Sequence, residues 1–336
     1  MRRGSILALI GIGVLAGAAA TAVALFLPWL PDVASEERAR IDDVFWFTVA
    51  ICIVIFALVV AVMLYSIVRF RAAPDDDSDG PPTHGHTGLE IIWTLIPTVL
   101  VTAIGIFSAV VLSRNDAQGK DPFRVNVTAQ QFSWSFQYPE AKNLTTGVLR
   151  LPVNRSIELY FTAKDVIHSF WVPEFGQKQD TVPGIKTQLH ITPTKLGTFD
   201  VICTELCGLG HSTMRSTAVV MSQAAFDKWL RSQTQATTSP NPAVSGAAVF
   251  KNNPCGSCHT LQAAGATATV GPDLDKLPQF AQEAGQPLED FIRTSITDPN
   301  AYVQKGYPRN VMPPFSSLPK DQLDALVQYL IQSSKG

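Results

Sequence analysis

Cys203-Thr-Glu205-Leu-Cys207-Gly-Leu-Gly-His211-Ser-Thr-Met214 gathers two thiols, an imidazole and a thioether into twelve residues. These are soft ligands suited to copper. Three residues separate the two cysteines. On a loop between strands, that spacing lets both sulfurs face one point, where two thiolates can bridge two metal ions. A second imidazole must come from elsewhere in the chain. His168 is the main candidate, because it opens the apolar strand His168-Ser-Phe-Trp-Val-Pro173. His190 is the weaker one, since it sits in an alternating strand and is expected to point outward. Zinc is the rival metal. Two cysteines and two histidines suit it as well, but Met214 would then be idle.

Working outward, the residues from Pro122 to Met221 read as short β runs. Phe123–Ala129, Phe132–Tyr138, Ser156–Thr162, His168–Val172, Lys186–Thr192, Thr198–Cys203 and Arg215–Met221 are rich in Val, Ile, Thr and aromatics. Pro, Gly and Asn separate them. This pattern predicts an all-β sandwich or barrel over residues 120–231. Thr234-Gln-Ala-Thr-Thr-Ser-Pro-Asn-Pro-Ala243 has the composition of a flexible linker, assigned to residues 232–243.

Residues 244–336 read as helical. Ala247, Phe250, Leu288, Phe291, Ile292, Ile296, Leu323, Leu326, Val327 and Leu330 supply apolar positions at helical spacing. Cys255-Gly-Ser-Cys258-His259 is the spacing that attaches a c-type haem through two thioethers, with His259 as axial ligand. A sixth ligand is then needed downstream. Met312 in Asn310-Val-Met312-Pro-Pro-Phe315 supplies it, on a loop stiffened by prolines. Its alternative fate is a core methionine. A domain this small has a thin core, which a central haem would thicken.

Toward the N-terminus lie three uncharged stretches: Gly4 to Pro31, Val44 to Val68 and Ile91 to Ser113. Each exceeds the roughly 20 apolar residues that a helix needs to cross a bilayer. Membrane helices are assigned to residues 42–72 and 88–114. Residues 1–31 read either as a signal peptide or as a first membrane helix, because Arg2, Arg3 and the small-residue run Ala16 to Ala20 suit a signal but the length suits a span. With Met1 in the cytoplasm, everything after Arg114 lies outside, and cleavage of the first segment leaves that result unchanged. His84 and His86 fall in a turn-rich polar loop and are expected to be solvated.

The chain of 336 residues has a net charge of −2, too small to suggest a nucleic-acid partner. Of its five cysteines, Cys52 lies in an apolar run and the other four form the two motifs. A pair of short-range disulfides is the bland alternative for those four. It has no use for His259, His211 or Met214.

Asp165-Val-Ile-His168-Ser-Phe-Trp-Val-Pro173, Asp180-Thr-Val-Pro-Gly184 and the Cys203–Met214 motif resemble subunit II of cytochrome c oxidase. Gly88-Leu-Glu90-Ile-Ile-Trp-Thr-Leu-Ile-Pro97 is similar to that family's second membrane helix. The likeness runs from about Asp42 to Leu230. It implies a cupredoxin-like sandwich holding a mixed-valence dinuclear copper centre. Cys203 and Cys207 would bridge both coppers. His168 and Met214 would complete one site, and His211 with the backbone carbonyl of Glu205 the other. The side chain of Glu205 would reach a magnesium or manganese ion shared with subunit I. Gly271-Pro-Asp-Leu274 and Gly306-Tyr307 resemble class I cytochromes c, covering Val244 to Ser333. There a carbonyl matching Pro272 would orient the proximal histidine.

Two further positions take roles from the resemblance. In Ala129-Gln-Gln-Phe132-Ser-Trp134-Ser-Phe136 the electron-input aromatic cluster is matched, with Phe132 standing where the family has its input tryptophan and Trp134 beside it. A tethered donor explains that departure: a linker of roughly ten to fifteen residues gives an effective concentration near millimolar, so little docking surface is needed. Glu90 matches the entrance of the family's K proton channel. Its bland alternative is a helix-start acid favoured by the macrodipole.

The resemblance implies a multi-pass subunit of a respiratory oxidase with a fused cytochrome c, in the bacterial plasma membrane, with copper and haem domains on the outer face. Electrons would come from an external cytochrome c or a cytochrome bc-type donor. They would pass through haem and copper to subunit I, which carries the oxygen chemistry. Subunits I and III are the implied partners. Three rivals differ in the features they use. A membrane-anchored carrier for a nitric or nitrous oxide reductase would not require Glu90 and Glu205. A copper-delivery or assembly protein would need no attached haem. A quinol oxidase subunit would lack the copper ligands.

Overall fold

In the computed structural model, residues 3–71, 75, 82, 84–117, 119–236, 245–316 and 318–334 are described. They form two compact units, one of residues 1–32 and 39–115, the other of residues 33–38 and 116–336.

The first unit holds α1 (Arg3–Phe26), most of α2 (Glu36–Arg69) and α3 (Thr87–Asn115). All three are long and apolar enough to cross a membrane. Gly13 and Gly17 of α1 face Ala61 and Ala57 of α2, where an added Cβ would meet a methyl at 3.6 and 3.5 Å. Small residues four apart on both helices allow this close approach. Phe47 of α2 meets Phe107 of α3 edge to face, centroids 5.5 Å apart. The helix predicted over residues 42–72 begins earlier, at Glu36. Its start is fixed by Ser35, whose Oγ accepts the backbone N–H of Arg38 at 3.0 Å. Glu36 and Glu37 favour that end of the helix dipole.

In the second unit, alternation of buried and open positions builds two five-stranded sheets. One has the order β3-β2-β1-β5-β8, the other β4-β10-β9-β6-β7. The strands are β1 (Phe123–Gln130), β2 (Ser133–Tyr138), β3 (Leu144–Thr146), β4 (Leu149–Pro152), β5 (Ile157–Ala163), β6 (His168–Trp171), β7 (Lys178–Thr181), β8 (Thr187–Ile191), β9 (Gly197–Cys203) and β10 (Arg215–Met221). Their inner faces bury Val125, Val127, Phe136, Leu159, Phe161 and Phe170 as one core. The result is the expected cupredoxin-like sandwich. The predicted run from Phe132 differs: β2 starts at Ser133, and Phe132 stands in the turn between β1 and β2.

Helix α4 (Gln223–Ala236) closes one end of the sandwich, with Phe226 buried against Phe123 at 5.2 Å and Trp229 against Tyr138 at 5.2 Å. The predicted linker therefore begins inside a helix, because these rings hold the chain in register past residue 231. Its remaining residues, 237–243, lie outside the described residues.

The last region is helical: α5 (Gly246–Asn252), α6 (Leu277–Glu283), α7 (Leu288–Thr297) and α8 (Lys320–Ser333). Gly246 lets α5 cross α8 against the carbonyl of Ala325, where any Cβ would collide. Phe250, Phe291, Ile292, Ile296, Leu326, Val327 and Leu330 are buried together, as their spacing predicts. Ala247 is exposed, and Val249 takes the inward place instead.

Candidate metal centre and haem cleft

Strand order assembles the metal centre. Strands β9 and β10 are antiparallel neighbours, and the loop of residues 204–214 joins them. Cys203 and Met214 end facing one another, since the Cys203 N–H donates to the Met214 carbonyl at 3.2 Å. Strand β6 lies on the other side of β9, pairing Phe170 with Cys203. That register brings His168, 35 residues earlier in the chain, against the same thiol.

The donors then converge. Cys203 Sγ lies 3.9 Å from Cys207 Sγ, 4.0 Å from His168 Nδ1 and 3.3 Å from the Glu205 carbonyl. Cys207 Sγ lies 3.5 Å from His211 Nδ1 and 3.8 Å from Met214 Sδ. His168, Cys203, Cys207 and Met214 are buried. The side chain of Glu205 is exposed. His190 is not part of this cluster: it pairs with Glu158 in the β5–β8 ladder and is buried rather than outward-facing.

Asp165 decides which nitrogen of His168 faces the thiols. Its carboxylate Oδ1 accepts from His168 Nε2 at 2.8 Å, so Nδ1 keeps its lone pair for a metal. Burial opposes the charged imidazolium, but the contacts with Cys203 and Asp165 outweigh it and raise the pKa of His168. Burial likewise opposes the Cys203 thiolate, yet hydrogen bonding from His168 and the loop backbone draws it down to about 7. Cys207 is pushed the other way by burial and by its charged neighbour Cys203. Without metal the pair therefore holds one negative charge with ease and resists a second. Two thiolates at one buried point call for added positive charge, which a copper site supplies. The donor set present here fits that group.

The haem cleft is built by α5, the turn that follows it, α7, α8 and the Met312 loop. Cys255, Cys258, His259 and Met312 all line one largely apolar cavity. His259 Nδ1 lies 2.8 Å from the Pro272 carbonyl, which can only accept. The proton therefore sits on Nδ1, and Nε2 is free to ligate. Burial lowers the pKa of His259, keeping the ring neutral. The ring rests on Gly271, where an added Cβ would stand 2.5 Å from Cε1. An apolar cavity walled by two cysteines outside any disulfide, a neutral oriented imidazole and a thioether fits a covalent haem.

Trp134 is buried, edge-on to His168 with centroids 6.3 Å apart. Phe132 lines the haem cavity. Glu90 is exposed at the start of α3 and caps it: its Oε1 accepts the His86 N–H at 3.2 Å, while His86 Nδ1 accepts from Leu89 N–H at 3.2 Å. Spacing alone gives no role to Asp165 or Gln131, although Asp165 stands three residues before His168. An acid near a ligand histidine is a signal for the partner that orients it.

Residues 20–111 match the transmembrane domain of cytochrome c oxidase subunit II, and residues 145–222 match its periplasmic domain. Residues 243–334 match cytochrome c. Cytochrome c oxidase subunit 2 of Synechocystis is 32% identical over 62% of this chain and 77% of its own length. The subunit 2 of Alkalihalophilus pseudofirmus is 30% identical over 89% of both chains. The periplasmic domain of subunit II of the Bradyrhizobium japonicum cytochrome oxidase is 27% identical, covering 36% of this chain and 99% of that one, with a TM-score of 0.34.

Proposed function

This chain belongs to the cytochrome c oxidase subunit II family, and from that premise we propose that it is the electron-input subunit of an oxidase with its own tethered cytochrome. Its place is the bacterial plasma membrane, with both soluble domains on the outer face. A cytochrome c or cytochrome bc-type donor supplies the electrons, and subunit I receives them, with subunit III as a further partner. The observation that carries the reading is the convergence of His168, Cys203, Cys207, His211 and Met214 on two sulfurs 3.9 Å apart.

Two metal ions, rather than one, account for the donors. A single tetrahedral ion with metal–sulfur distances of about 2.3 Å would take four ligands. Here six donor atoms are present, and the two imidazoles approach different sulfurs. Cys203 and Cys207 would bridge, with His168 and Met214 on one side and His211 and the Glu205 carbonyl on the other. When bound, the haem and the copper pair each supply a one-electron couple, and sharing one electron over two coppers and two sulfurs keeps rearrangement small. His259 and Met312 would hold the iron from opposite sides, with Pro272 fixing the histidine and Cys255 and Cys258 the porphyrin. Leu206 and Leu209 on the metal loop are 78% and 96% exposed, which suits a face covered by subunit I. The exposed carboxylate of Glu205 would reach the magnesium or manganese ion at that junction.

The test is metal content and spin resonance on the purified full chain. Two coppers per chain and an unpaired electron shared by both are expected, and Cys207→Ser should abolish the signal. One copper per chain, or a localised spectrum, overturns the assignment.

A further inference from the structure

Two loops of the β sandwich face the metal centre and the haem cleft at once. Phe132, in the turn between β1 and β2, lines the cavity that holds Cys255, His259 and Met312. The metal loop passes behind the same ring: a Cβ added at Gly210 would stand 2.5 Å from Phe132 Cδ2. Next to it, Lys164, Asp165 and Gln131 line a second cleft together with Asn310, Met312 and Pro313. Val311, the neighbour of Met312, packs on the sandwich core.

Gln131 joins these parts. Its side-chain Nε2 donates to the Cys207 carbonyl at 2.6 Å. Its backbone N–H donates to Asp165 Oδ2 at 2.6 Å. The other oxygen of that carboxylate accepts from His168 Nε2 at 2.8 Å. One residue thus holds the main chain of a bridging cysteine and the carboxylate that orients a ligand histidine. Gly208 is shaped around it: a Cβ there would stand 2.8 Å from Nε2, and its φ of +129° already favours glycine.

We propose that Gln131 is a positioning residue that fixes both metal-ligand loops against the haem-bearing face, so that copper geometry and haem-to-copper electron transfer depend on an amide that ligates neither group. The proposal rests on the dinuclear copper and haem reading above. In the step concerned, ferrous haem is oxidised to ferric and the copper pair is reduced by the same single electron, with no bond made or broken. Transfer over such a junction needs ligands that do not reorient. Hydrogen bonds from outside the ligand set are what hold them, and losing one typically costs 10- to 100-fold in affinity or activity.

Gln131→Met and Gln131→Glu in the full chain, loaded with haem and copper, separate this role from a plain turn residue. Met keeps the length and removes the donor, whereas Glu places an acceptor against the Cys207 carbonyl. Both leave the backbone N–H to Asp165 in place. The readouts are the copper spin spectrum, the copper and haem potentials, and the rate of haem-to-copper transfer after rapid reduction of the haem. A changed copper spectrum, a shifted copper potential, an unshifted haem potential and transfer slowed by about 10-fold or more are expected. A variant that melts with the unsubstituted chain yet binds copper more weakly also supports the assignment. A Met variant with unaltered copper spectrum, potential and rate overturns it, as does a collapse of melting. The spectrum of the unsubstituted chain tests the copper reading separately.

Discussion

Replacing Gly271 by alanine probes the haem cleft through one methyl group. Its φ lies outside the left-handed region, so the backbone accepts alanine and the effect is steric. The new Cβ would stand 2.5, 2.7 and 2.9 Å from three atoms of the His259 ring. Ordinary carbon contacts begin near 3.5 Å, so the ring must retreat by roughly 1 Å. Such a shift disturbs the hydrogen bond to the Pro272 carbonyl, now 2.8 Å from Nδ1. Overpacking of this kind costs about 1–3 kcal/mol, and losing the hydrogen bond about 1 kcal/mol more. For a domain of this size each kcal/mol lowers Tm by about 4–8 °C. A drop of at least ~8 °C in the haem-domain transition is therefore expected, followed by haem absorption in the full chain. Weaker donation from Nδ1–H also makes the imidazole a poorer base, so the haem potential should rise. A melt within about 1 °C of the unsubstituted chain, with the potential unmoved, would refute the reasoning.

Met312→Ala should leave the haem covalently attached while its spectrum loses low-spin His/Met character; an unaltered spectrum would assign the sixth ligand elsewhere. Glu90→Gln keeps an oxygen for the His86 N–H and so preserves the cap, yet removes the carboxylate that a proton entrance would need. Turnover of the assembled oxidase should slow with copper and haem contents intact, and unchanged turnover would leave Glu90 a cap alone. Asp324 is held below the usual carboxylate range by Lys320 and then Arg293. Such a depressed group stabilises the fold above its unfolded value, and the contribution is lost as pH falls through the lower folded value. Melts of the full chain should show the haem-domain transition weakening below about pH 4, and Asp324→Asn should flatten that dependence.

Much of the architecture was legible because it rests on local pattern. Three apolar runs give three helices, and seven β-rich runs fall on seven of the ten strands of the sandwich. The strands missed are those with little pattern to read. β3 and β4 have three and four residues, and β7, Lys178–Thr181, is a polar strand at a sheet edge, where one side needs no apolar partner. The start of α2 and the linker boundary were misplaced: Ser35 caps α2 earlier than its apolar run begins, and the helix that packs Trp229 on Tyr138 runs on into the predicted linker.

For the sites, the division follows chain distance. Cys203, Cys207, His211 and Met214 share one loop, and Cys255, Cys258 and His259 one turn, so spacing alone marked them as candidate ligand sets. The sequence ranked His168 above His190, and the folded chain brings His168 to the thiols and leaves buried His190 in the β5–β8 ladder, because the order of β6, β9 and β10 fixes which imidazole reaches the loop. Only the folded chain decided the parts of Asp165, Gln131 and Gly271. Their roles depend on which atom points at which neighbour, and a side chain's direction is settled by the strands and turns packed around it rather than by its place in the sequence.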